Sequence, residues 1–296
     1  MKIYGKMRSR TMKKINGKIA IVTGAGSGLG RAIAEYFAQK GAVVVVADIN
    51  MASANETCNR IKEKGGNGLA LQVDVCRVEE VEKMISDTID KYGRIDFLFN
   101  NAGAAINGEF KDMTLEHWHK MMDVNFWGVI YGCRLAYPIM MKQGNGHIIN
   151  VASFAGLMPG GLMTGYSASK HAAVGFTLNL RSEAKQYGIC VTALCPGYLE
   201  TPMHESALNV TDYVIEHDIK YRKKKHHYPK PEDCINHMMR GVLKNKGIVV
   251  SPRIQIPFWW LYRLFPSMVP WLWSKIIRGI KKQYIRNDIN LYSLEH

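Results

Sequence analysis

Short apolar runs alternate along the chain with segments in which apolar residues recur at the spacing of a helix. The apolar runs are rich in β-branched residues, which predicts strands, and the segments between them predict helices. The predicted strands are 18–23, 42–47, 68–73, 95–100, 147–151, 190–195 and 247–250, and the predicted helices include 31–39, 51–64 and 78–91.

The predicted strands are continuously apolar instead of alternating between apolar and polar residues. This pattern is typical of a sheet that is covered on both faces, and strands that alternate with helices form parallel sheets. We therefore expect an α/β fold of one domain, a Rossmann-type doubly wound parallel sheet, followed by a C-terminal amphipathic extension.

Composition and charge narrow the class of protein. The 296 residues are 47% hydrophobic and 22% charged, which excludes a disordered chain and a disulfide-stapled miniprotein. The net charge of +14 is concentrated at the two ends: residues 1–18 hold seven basic residues and no acid, and 252–296 hold seven against Asp288 and Glu295. Because the body is nearly neutral, we expect no nucleic-acid partner.

The cysteines and the N-terminus indicate an intracellular protein. Six cysteines include no C-x-x-C pair and no Cys/His spacing suited to zinc, so we expect reduced, mostly buried thiols and no metal site. The basic start has no apolar segment of the kind that a secretory signal needs. The expected location is cytoplasmic, with contact to a membrane surface left open by the C-terminal extension.

A glycine turn joins the first predicted strand to the first predicted helix. It is not the generic G-x-G-x-x-G, because Leu29 occupies the third glycine position; the pattern is Thr23-Gly24, then Gly28 and Gly30. Such a turn lets backbone N–H groups approach a pyrophosphate at a helix N-terminus. A tight turn that is needed only for packing is the alternative.

Asp48 ends the second predicted strand, 20 residues after Gly28. A carboxylate at this position can accept hydrogen bonds from an adenosine ribose diol while it repels a 2′-phosphate. Ser27, Ile49 and Asn50 supply no cation for that phosphate, so NAD(H) is favoured over NADP(H). A solvated aspartate at a strand end is the alternative.

Tyr166 and Lys170 are four residues apart and share a face if the segment is helical, and Ser153 follows the strand that ends at 151. A phenol of pKa about 10 needs a shift of about 3 units, roughly 4 kcal/mol, to act as a base near pH 7, and an ammonium can supply part of it. The three residue types can reduce a carbonyl. A Y-x-x-x-K pair alone also occurs by chance on amphipathic helices.

Taken in order, the motifs identify a resemblance to the short-chain dehydrogenase/reductase family, specifically its compact NAD(P)-dependent branch with an Asn-Ser-Tyr-Lys tetrad. The resemblance covers about residues 15–251. The motifs that match are the turn Thr23 to Gly30, Asp74-Val75, Asn100-Asn101-Ala102-Gly103, Asn125, Ser153, Tyr166, Lys170 and the segment Pro196 to Thr201.

The resemblance implies roles for the tetrad. Tyr166 is the general acid in reduction and the base in oxidation, Lys170 binds the nicotinamide ribose and lowers the pKa of Tyr166, Ser153 positions the carbonyl oxygen, and Asn125 holds a water for proton relay. An asparagine that caps or kinks a helix remains an alternative role for Asn125. The implied cofactor contacts are Thr23, Gly24, Ser27, Gly28, Leu29, Gly30, Asp48, Ile49, Asp74, Val75, Asn101, Ala102, Gly103, Tyr166, Lys170, Pro196, Gly197, Leu199 and Thr201.

The expected activity is the NAD(H)-dependent interconversion of a lipophilic secondary alcohol and its ketone, steroid-, retinoid- or acyl-like. An apolar pocket wall is predicted by Leu157, Met158, Leu162 and Met163, on the loop before Tyr166. The alternative is an NAD-binding regulatory or scaffold protein with little turnover. The resemblance also favours a homodimer or tetramer that packs through the helix of Tyr166.

The expected organisation is a basic extension at 1–14, a catalytic domain at 15–251 with a variable substrate lid at about 201–231, an extension at 252–293, and a tag remnant at 294–296. The C-terminal extension holds four of the six tryptophans but is interrupted by three prolines and Arg263, so it is a poor membrane span. Beyond residue 268 it predicts an amphipathic helix with a basic face. Packing on the body or a second subunit, and attachment of 252–286 to a membrane surface, both remain open.

Overall fold

The computed structural model describes residues 15–214 and 228–292. The N-terminal extension at 1–14, part of the predicted lid at 215–227 and the last residues, 293–296, lie outside the described residues. The strands are β1 (Ile19–Thr23), β2 (Val43–Asp48), β3 (Asn67–Gln72), β4 (Phe97–Asn100), β5 (Ile106–Asn107), β6 (Gly146–Val151), β7 (Ile189–Pro196), β8 (Leu208–Asn209) and β9 (Ile248–Ser251).

The helices lie between and after these strands. They are α1 (Gly28–Ala38), α2 (Met51–Glu63), α3 (Val78–Tyr92), α4 (Leu115–Met122), α5 (Gly128–Gln143), α6 (Thr164–Ala184), α7 (Met203–Ser206), α8 (Pro231–Leu243), α9 (Ile256–Leu264) and α10 (Met268–Tyr292). Each strand and helix that the sequence pattern predicts is present, with ends that differ by a few residues.

Seven of the strands form one parallel sheet in the order β3-β2-β1-β4-β6-β7-β9. The predicted Rossmann-type doubly wound sheet is therefore confirmed. Strand β1 lies between β2 and β4, so successive crossovers run in opposite directions from it. A sheet of this kind opens a crevice at the carboxyl ends of the strands where the direction reverses, which here is between β1 and β4.

Both faces of the sheet are covered, as the continuous apolar strands predict. On β1, Ala20 and Val22 belong to a core cluster with residues of α1, α2 and α8. Ile21 points to the opposite face and packs with residues of α3, α5 and α6. Since neighbouring residues of a strand face opposite sides, a strand that is buried on both sides must be apolar at every position.

The predicted strand at 95–100 begins later, at Phe97, directly after the buried side chain of Asp96. Its carboxylate accepts the Ile19 N–H at 3.0 Å and pairs with Lys18 at 3.1 Å and Arg94 at 2.6 Å. Burial raises the pKa of Asp96, but these donors outweigh it and lower the pKa overall. This network fixes the lower edge of the sheet, on the side away from the crevice.

The C-terminal extension packs on the body by one side. Ile256 and Trp259 of α9 contact the cluster that contains Ala152 and Val250, and Val269 of α10 is buried. Of the two alternatives, packing on the body is therefore observed, while the other side of these helices is exposed. Within the described part of the chain, no helix is both long enough and apolar enough to cross a membrane.

All six cysteines lie in described residues, and none forms a disulfide. Cys58, Cys133, Cys195 and Cys234 are buried. Burial raises the pKa of the Cys133 and Cys195 thiols to about 12. These buried cysteines therefore act as small apolar residues of the core.

Candidate active site

The glycine turn lies at the crevice, between the end of β1 and the start of α1. Gly24 has φ +61°, and a Cβ there would lie 2.8 Å from the Ala102 Cα. A Cβ at Gly30 would overlap the Gly24 carbonyl oxygen. Both positions therefore need glycine for packing, and the result is a helix N-terminus whose backbone N–H groups face the crevice.

Asp48 lies against this turn. Its Oδ2 accepts the Gly26 N–H at 2.8 Å, and its Oδ1 accepts the Asn50 N–H at 3.0 Å. A Cβ at Gly26 would lie 2.8 Å from the same carboxylate oxygen. The carboxylate is thus fixed beside the turn, where its remaining lone pairs can accept hydroxyl groups.

Arg31 is a neighbouring cation that the sequence analysis did not consider. Its guanidinium donates to the Gly26 carbonyl at 3.0 Å and to Thr57 Oγ1 at 3.0 Å, and it forms a two-pronged ion pair with Glu56. Arg31 therefore stabilises the glycine turn, and its charge is paired with that of Glu56. The pairing joins α1 to α2, and no local pattern around Arg31 signals it.

Thr23 and Asn101 connect the two strands that border the crevice. Thr23 Oγ1 accepts the N–H groups of Asn101 and Ala102 at 3.0 and 3.1 Å and donates to the Phe99 carbonyl at 3.3 Å. Asn101 Nδ2 donates to the Thr23 and Gly24 carbonyls at 2.9 and 3.1 Å. These side chains hold the ends of β1 and β4 at a fixed separation.

Asp74 and Val75 follow β3 at the same edge of the sheet. Asp74 Oδ1 accepts the Cys76 N–H at 2.9 Å, and the Asp74 N–H donates to Glu80 at 2.8 Å. Val75 is buried against Gly128, where an added Cβ would lie 3.0 Å from a Val75 methyl. The pair is held rigidly next to the strand that ends in Asp48.

The segment from Pro196 to Thr201 extends β7 back toward the glycine turn. The Gly197 N–H donates to the Ser251 carbonyl at 2.8 Å, and Leu199 is buried. A Cβ at Gly28, which has φ +51°, would lie 3.3 Å from the Thr201 Cβ. The structure thus brings the predicted cofactor contacts together at the carboxyl edge of the sheet.

The predicted catalytic side chains lie at this same edge. Tyr166 and Lys170 are one turn apart on α6, and Ser153 follows β6. Ser153 Oγ accepts the Ala155 N–H at 3.1 Å. The Ser153 hydroxyl interacts with the Tyr166 hydroxyl closely enough to lower the pKa of the phenol. Lys170 is buried and donates from Nζ to the Val151 carbonyl at 3.0 Å, with Nζ 5.8 Å from the centre of the Tyr166 ring.

Burial is the largest influence on the pKa values of both Tyr166 and Lys170. Burial raises the pKa of Tyr166; Ser153 lowers it in part, and Tyr198 and Cys195 raise it further. Burial also lowers the pKa of Lys170 to about 8. Among the protein's own groups, desolvation dominates at Tyr166 and the Lys170 ammonium binds the Val151 carbonyl, so the lowering of the Tyr166 pKa by Lys170 stays a prediction for the cofactor-bound enzyme. Tyr166 is held protonated at neutral pH, ready to donate.

Asn125 lies on a π-helical turn, Asp123–Trp127, between α4 and α5. Its buried amide accepts the Ala104 N–H at 3.0 Å and donates to the Ala104 carbonyl at 2.9 Å and to Ser169 Oγ at 3.1 Å. The side chain thus bonds the backbone, as in the alternative role, but of the loop after β4 and not of its own helix. Single π-turns are frequent at functional sites.

Ser169 is a positioning residue that the sequence analysis missed. It is buried, accepts from Asn125, and donates to the Tyr166 carbonyl at 2.8 Å. It therefore links the π-turn to the helix turn that carries Tyr166. Its position three residues after the tyrosine, on the buried face of α6, was the available signal.

The predicted apolar wall lies beside Tyr166. Leu157 is buried, and Met158, Leu162 and Met163 are half-buried. The Gly108 N–H donates to the Leu162 carbonyl at 2.7 Å, which ties this loop to the segment after β5. Among the described residues, no group of three His, Cys, Asp or Glu is arranged to hold a metal.

Known proteins are similar to this chain in sequence. The sequence profile of the family described as short chain dehydrogenase matches residues 18–210. A cyclohexanol dehydrogenase from an Acinetobacter species is 35% identical over 193 residues, which cover 64% of this chain and 76% of that protein. A 3-oxoacyl-(acyl-carrier-protein) reductase from a Synechocystis species is 36% identical over 196 residues, 66% of this chain and 79% of that protein.

A solved structure gives the same result for the fold. A short-chain dehydrogenase/reductase from Burkholderia phymatum, crystallised in complex with NAD, is similar with a TM-score of 0.77 at 25% identity. The match covers 86% of this chain and 96% of that chain.

Proposed function

Because the chain belongs to the short-chain dehydrogenase/reductase family and is an oxidoreductase of that family, we propose that it interconverts a lipophilic secondary alcohol and its ketone with NAD(H). The observation that carries the proposal is the placement of Ser153, Tyr166 and Lys170 at the carboxyl edge of the sheet, beside the glycine turn. The bound nicotinamide cofactor supplies the hydride.

The side chains of this protein bind the carbonyl and move the proton. In reduction, the Tyr166 hydroxyl donates its proton to the carbonyl oxygen, and the Ser153 hydroxyl donates a hydrogen bond to the same oxygen. The raised pKa of Tyr166 keeps that proton in place at neutral pH until it is needed. Lys170, freed from the Val151 carbonyl, is placed to bind the ribose hydroxyls and to stabilise the phenolate that the transfer leaves.

The preference for NAD(H) over NADP(H) is supported by the charges near the turn. Asp48 is fixed against Gly26, so a 2′-phosphate would meet a carboxylate. Ile49 is 64% exposed and uncharged. Arg31 is directed at the Gly26 carbonyl and neutralised by Glu56, so it does not offset this repulsion.

The substrate class is supported by the apolar loop and by one relative. Leu157 and Met163 lie on the loop before Tyr166, and Met203 approaches Gly103, where an added Cβ would lie 3.5 Å from its methyl group. The Acinetobacter relative is named for cyclohexanol, which is itself a secondary alcohol on an apolar ring. An apolar wall beside a single proton donor suits such a molecule better than a sugar.

The proposal extends to assembly. A homodimer or tetramer through α6 is supported by its outer face, where a Cβ at Gly175 would meet nothing within 4 Å and Phe176 packs against Phe126. Trp127 is 45% exposed beside this face. Sedimentation velocity of the wild type and of Gly175→Lys tests it: the wild type should form a dimer or tetramer, and the variant should shift toward the monomer.

The proposal also includes peripheral contact between the enzyme and a membrane through residues 252–286. This segment carries exposed apolar and basic side chains together, and a lipophilic substrate dissolves in membranes.

The test of the proposed function is a spectrophotometric screen of NADH and NADPH oxidation with steroid, retinoid, acyl and small diketone carbonyls. Reduction of an apolar ketone with NADH as the better cofactor is expected. Binding of NADH without turnover of any carbonyl would favour a regulatory or scaffold protein instead.

A further inference from the structure

The two C-terminal helices have two different sides. On the inner side, the Trp273 ring lies over Gly161, so closely that a Cβ there would overlap it. Lys281 pairs with Glu109, and the Tyr284 ring lies 6.2 Å from that of Tyr213. The inner side is therefore already occupied by the substrate loop and the start of the lid.

The outer side presents exposed apolar residues along both helices and the turn before them. Soluble monomers seldom expose large contiguous apolar patches, and patches rimmed by polar residues mark interaction sites. The exposed apolar residues are Ile254, Phe258, Trp260, Leu261, Leu264, Phe265, Met268, Trp271, Leu272, Ile276 and Ile285. We refer to this set as the outer apolar face.

Basic side chains border the outer apolar face, and residues 252–285 include no aspartate or glutamate. The Arg263 guanidinium lies 5.6 and 5.7 Å from the ring centres of Trp259 and Trp260. Lys275 Nζ lies 3.8 Å from the ring centre of Trp271. Cations beside amphipathic indole rings are the combination found where proteins meet the headgroup region of a bilayer.

We propose that the outer apolar face docks on the surface of an anionic phospholipid bilayer. This inference identifies the class of lipid in the membrane contact of the proposed function. It rests on the proposed function only for the existence of that contact. Within residues 15–214 and 228–292, the contacts between the body and these helices use the inner side. A second copy would bring basic side chains against basic side chains, since a two-fold interface joins the same patch to itself.

Helices α9 and α10 contact the bilayer along their length. Pro257 lies in the first turn of α9, Phe265 is the residue that follows its last turn, and α10 begins at Met268. No helix among residues 15–214 and 228–292 has the apolar length to span. The helices therefore lie along the surface with their apolar side chains in the interfacial region. Because Trp273 contacts Gly161, docking places the substrate loop about one helix diameter, roughly 10 Å, from the lipid.

The test is co-sedimentation of the full-length protein with vesicles, without cofactor or substrate, so that its outcome is independent of the proposed reaction. Vesicles of equimolar phosphatidylcholine and phosphatidylglycerol are compared with vesicles of phosphatidylcholine alone. We expect binding to the anionic vesicles that weakens as salt is raised. Full-length protein that stays in the supernatant with anionic vesicles at low salt would overturn the proposal, as would equal binding to both vesicle types.

Matched variants locate the surface. Trp260→Ser with Leu264→Ser should weaken vesicle binding about tenfold or more. The control is Phe110→Ser with Leu115→Ser, which removes exposed apolar side chains, 69% and 77% exposed, from outside the extension. It should bind as the wild type does. Equal loss in both pairs would contradict the assignment, and a circular dichroism melt of each variant reports whether it is folded.

A charge variant makes the test independent of apolar substitutions. Lys275→Gln with Arg278→Gln, both exposed, should reduce binding to anionic vesicles several-fold. The opposing outcome is self-association: a concentration-dependent dimer in sedimentation velocity that Trp260→Ser with Leu264→Ser abolishes, with vesicles ignored, would assign the face to a second copy.

Discussion

The cofactor half of the sheet, residues 19–103, and the C-terminal extension use similar apolar side chains in opposite ways. All five residues of β1 are buried, whereas no residue of α9 is fully buried. β1 is hydrogen-bonded to β2 and β4 at its edges and covered by helices on both faces. A terminal helix has a neighbour on one side only. Apolar side chains therefore form the core in the first region. In the second region they form a surface that can contact another phase.

The two regions should consequently respond differently to substitution. Side chains of the body contact several elements and include the reacting groups, so their loss should change chemistry or cofactor choice. Side chains of the extension contact the body at a few points, and their loss should change attachment of the extension with a smaller effect on chemistry.

The largest effect is expected from Tyr166→Phe. The change removes the transferable proton and keeps the ring, so turnover should fall about 10²-fold or more while NADH affinity is little changed. Steady-state kinetics and NADH fluorescence titration measure the two quantities. Tyr187→Phe, 38% exposed and remote from Ser153, is the control and should be silent. Equal turnover in both variants would remove Tyr166 from the chemistry.

Lys170→Met should change how stability depends on pH. Burial lowers the folded-state pKa of Lys170 to about 8, below its ordinary 10.5. Between these values the unfolded chain binds more protons, so this group makes stability rise with pH in the wild type alone. The difference in unfolding free energy, wild type minus variant, should increase by roughly 2–3 kcal/mol from pH 8 to pH 10.5.

Urea unfolding of both proteins across that window measures the difference. Using the difference removes the contributions of titrating groups that do not interact with Lys170, such as Cys133, whose raised pKa acts in the opposite direction. A difference that is constant with pH would mean that Lys170 is solvated and charged in the folded protein.

Cofactor choice should follow the charges beside Asp48. Replacing Asp48 by Ser keeps an acceptor for the Gly26 N–H, and Ile49→Arg adds a partner for a 2′-phosphate. The ratio of kcat/KM for NADPH to that for NADH should rise by about tenfold or more, or roughly 1.4 kcal/mol. Asp48→Ser with Ile49→Gln is the matched control and should shift less. An unchanged ratio would place the ribose elsewhere.

The smallest effect is expected at the inner side of α10, where Lys281 and Lys282 are adjacent but face differently. Lys281 pairs with Glu109, while Lys282 is exposed. Lys281→Gln should lower the melting temperature by about 1–3 °C and raise KM for a bulky ketone a few-fold. Lys282→Gln should leave both unchanged. Identical behaviour of the two variants would show that the Lys281–Glu109 pair does not help to hold α10 on the body.

Much of the fold was predictable because the local sequence of a strand indicates whether the strand is buried. A run of β-branched apolar residues that ends at Thr23 or Asp48 has one favourable place, between two layers of helices. The site could be placed because residues at strand ends, such as Asn101, must meet at the carboxyl edge of a parallel sheet. Those positions follow from topology without any knowledge of side-chain contacts.

The remainder depends on contacts between distant segments. The hydrogen bonds of Asn125 to Ala104 and Ser169 join three elements, and Arg31 pairs across two helices. The pKa of Tyr166 is set by burial that no spacing reveals. The extension resisted prediction for another reason: its pattern was compatible with packing and with docking, and the structure assigns a separate side to each.

The most direct test of the assigned chemistry traces the transferred hydrogen with an isotope label. Full-length protein is incubated with an apolar ketone and NADH that carries deuterium at both hydrogen positions of nicotinamide C4, and the product is examined by mass spectrometry. Deuterium at the carbinol carbon of a secondary alcohol, formed in equal amount to the oxidised cofactor and strongly reduced in Tyr166→Phe, is the predicted result. Oxidation of NADH without deuterium in an alcohol product, or equal transfer by Tyr166→Phe, would contradict it.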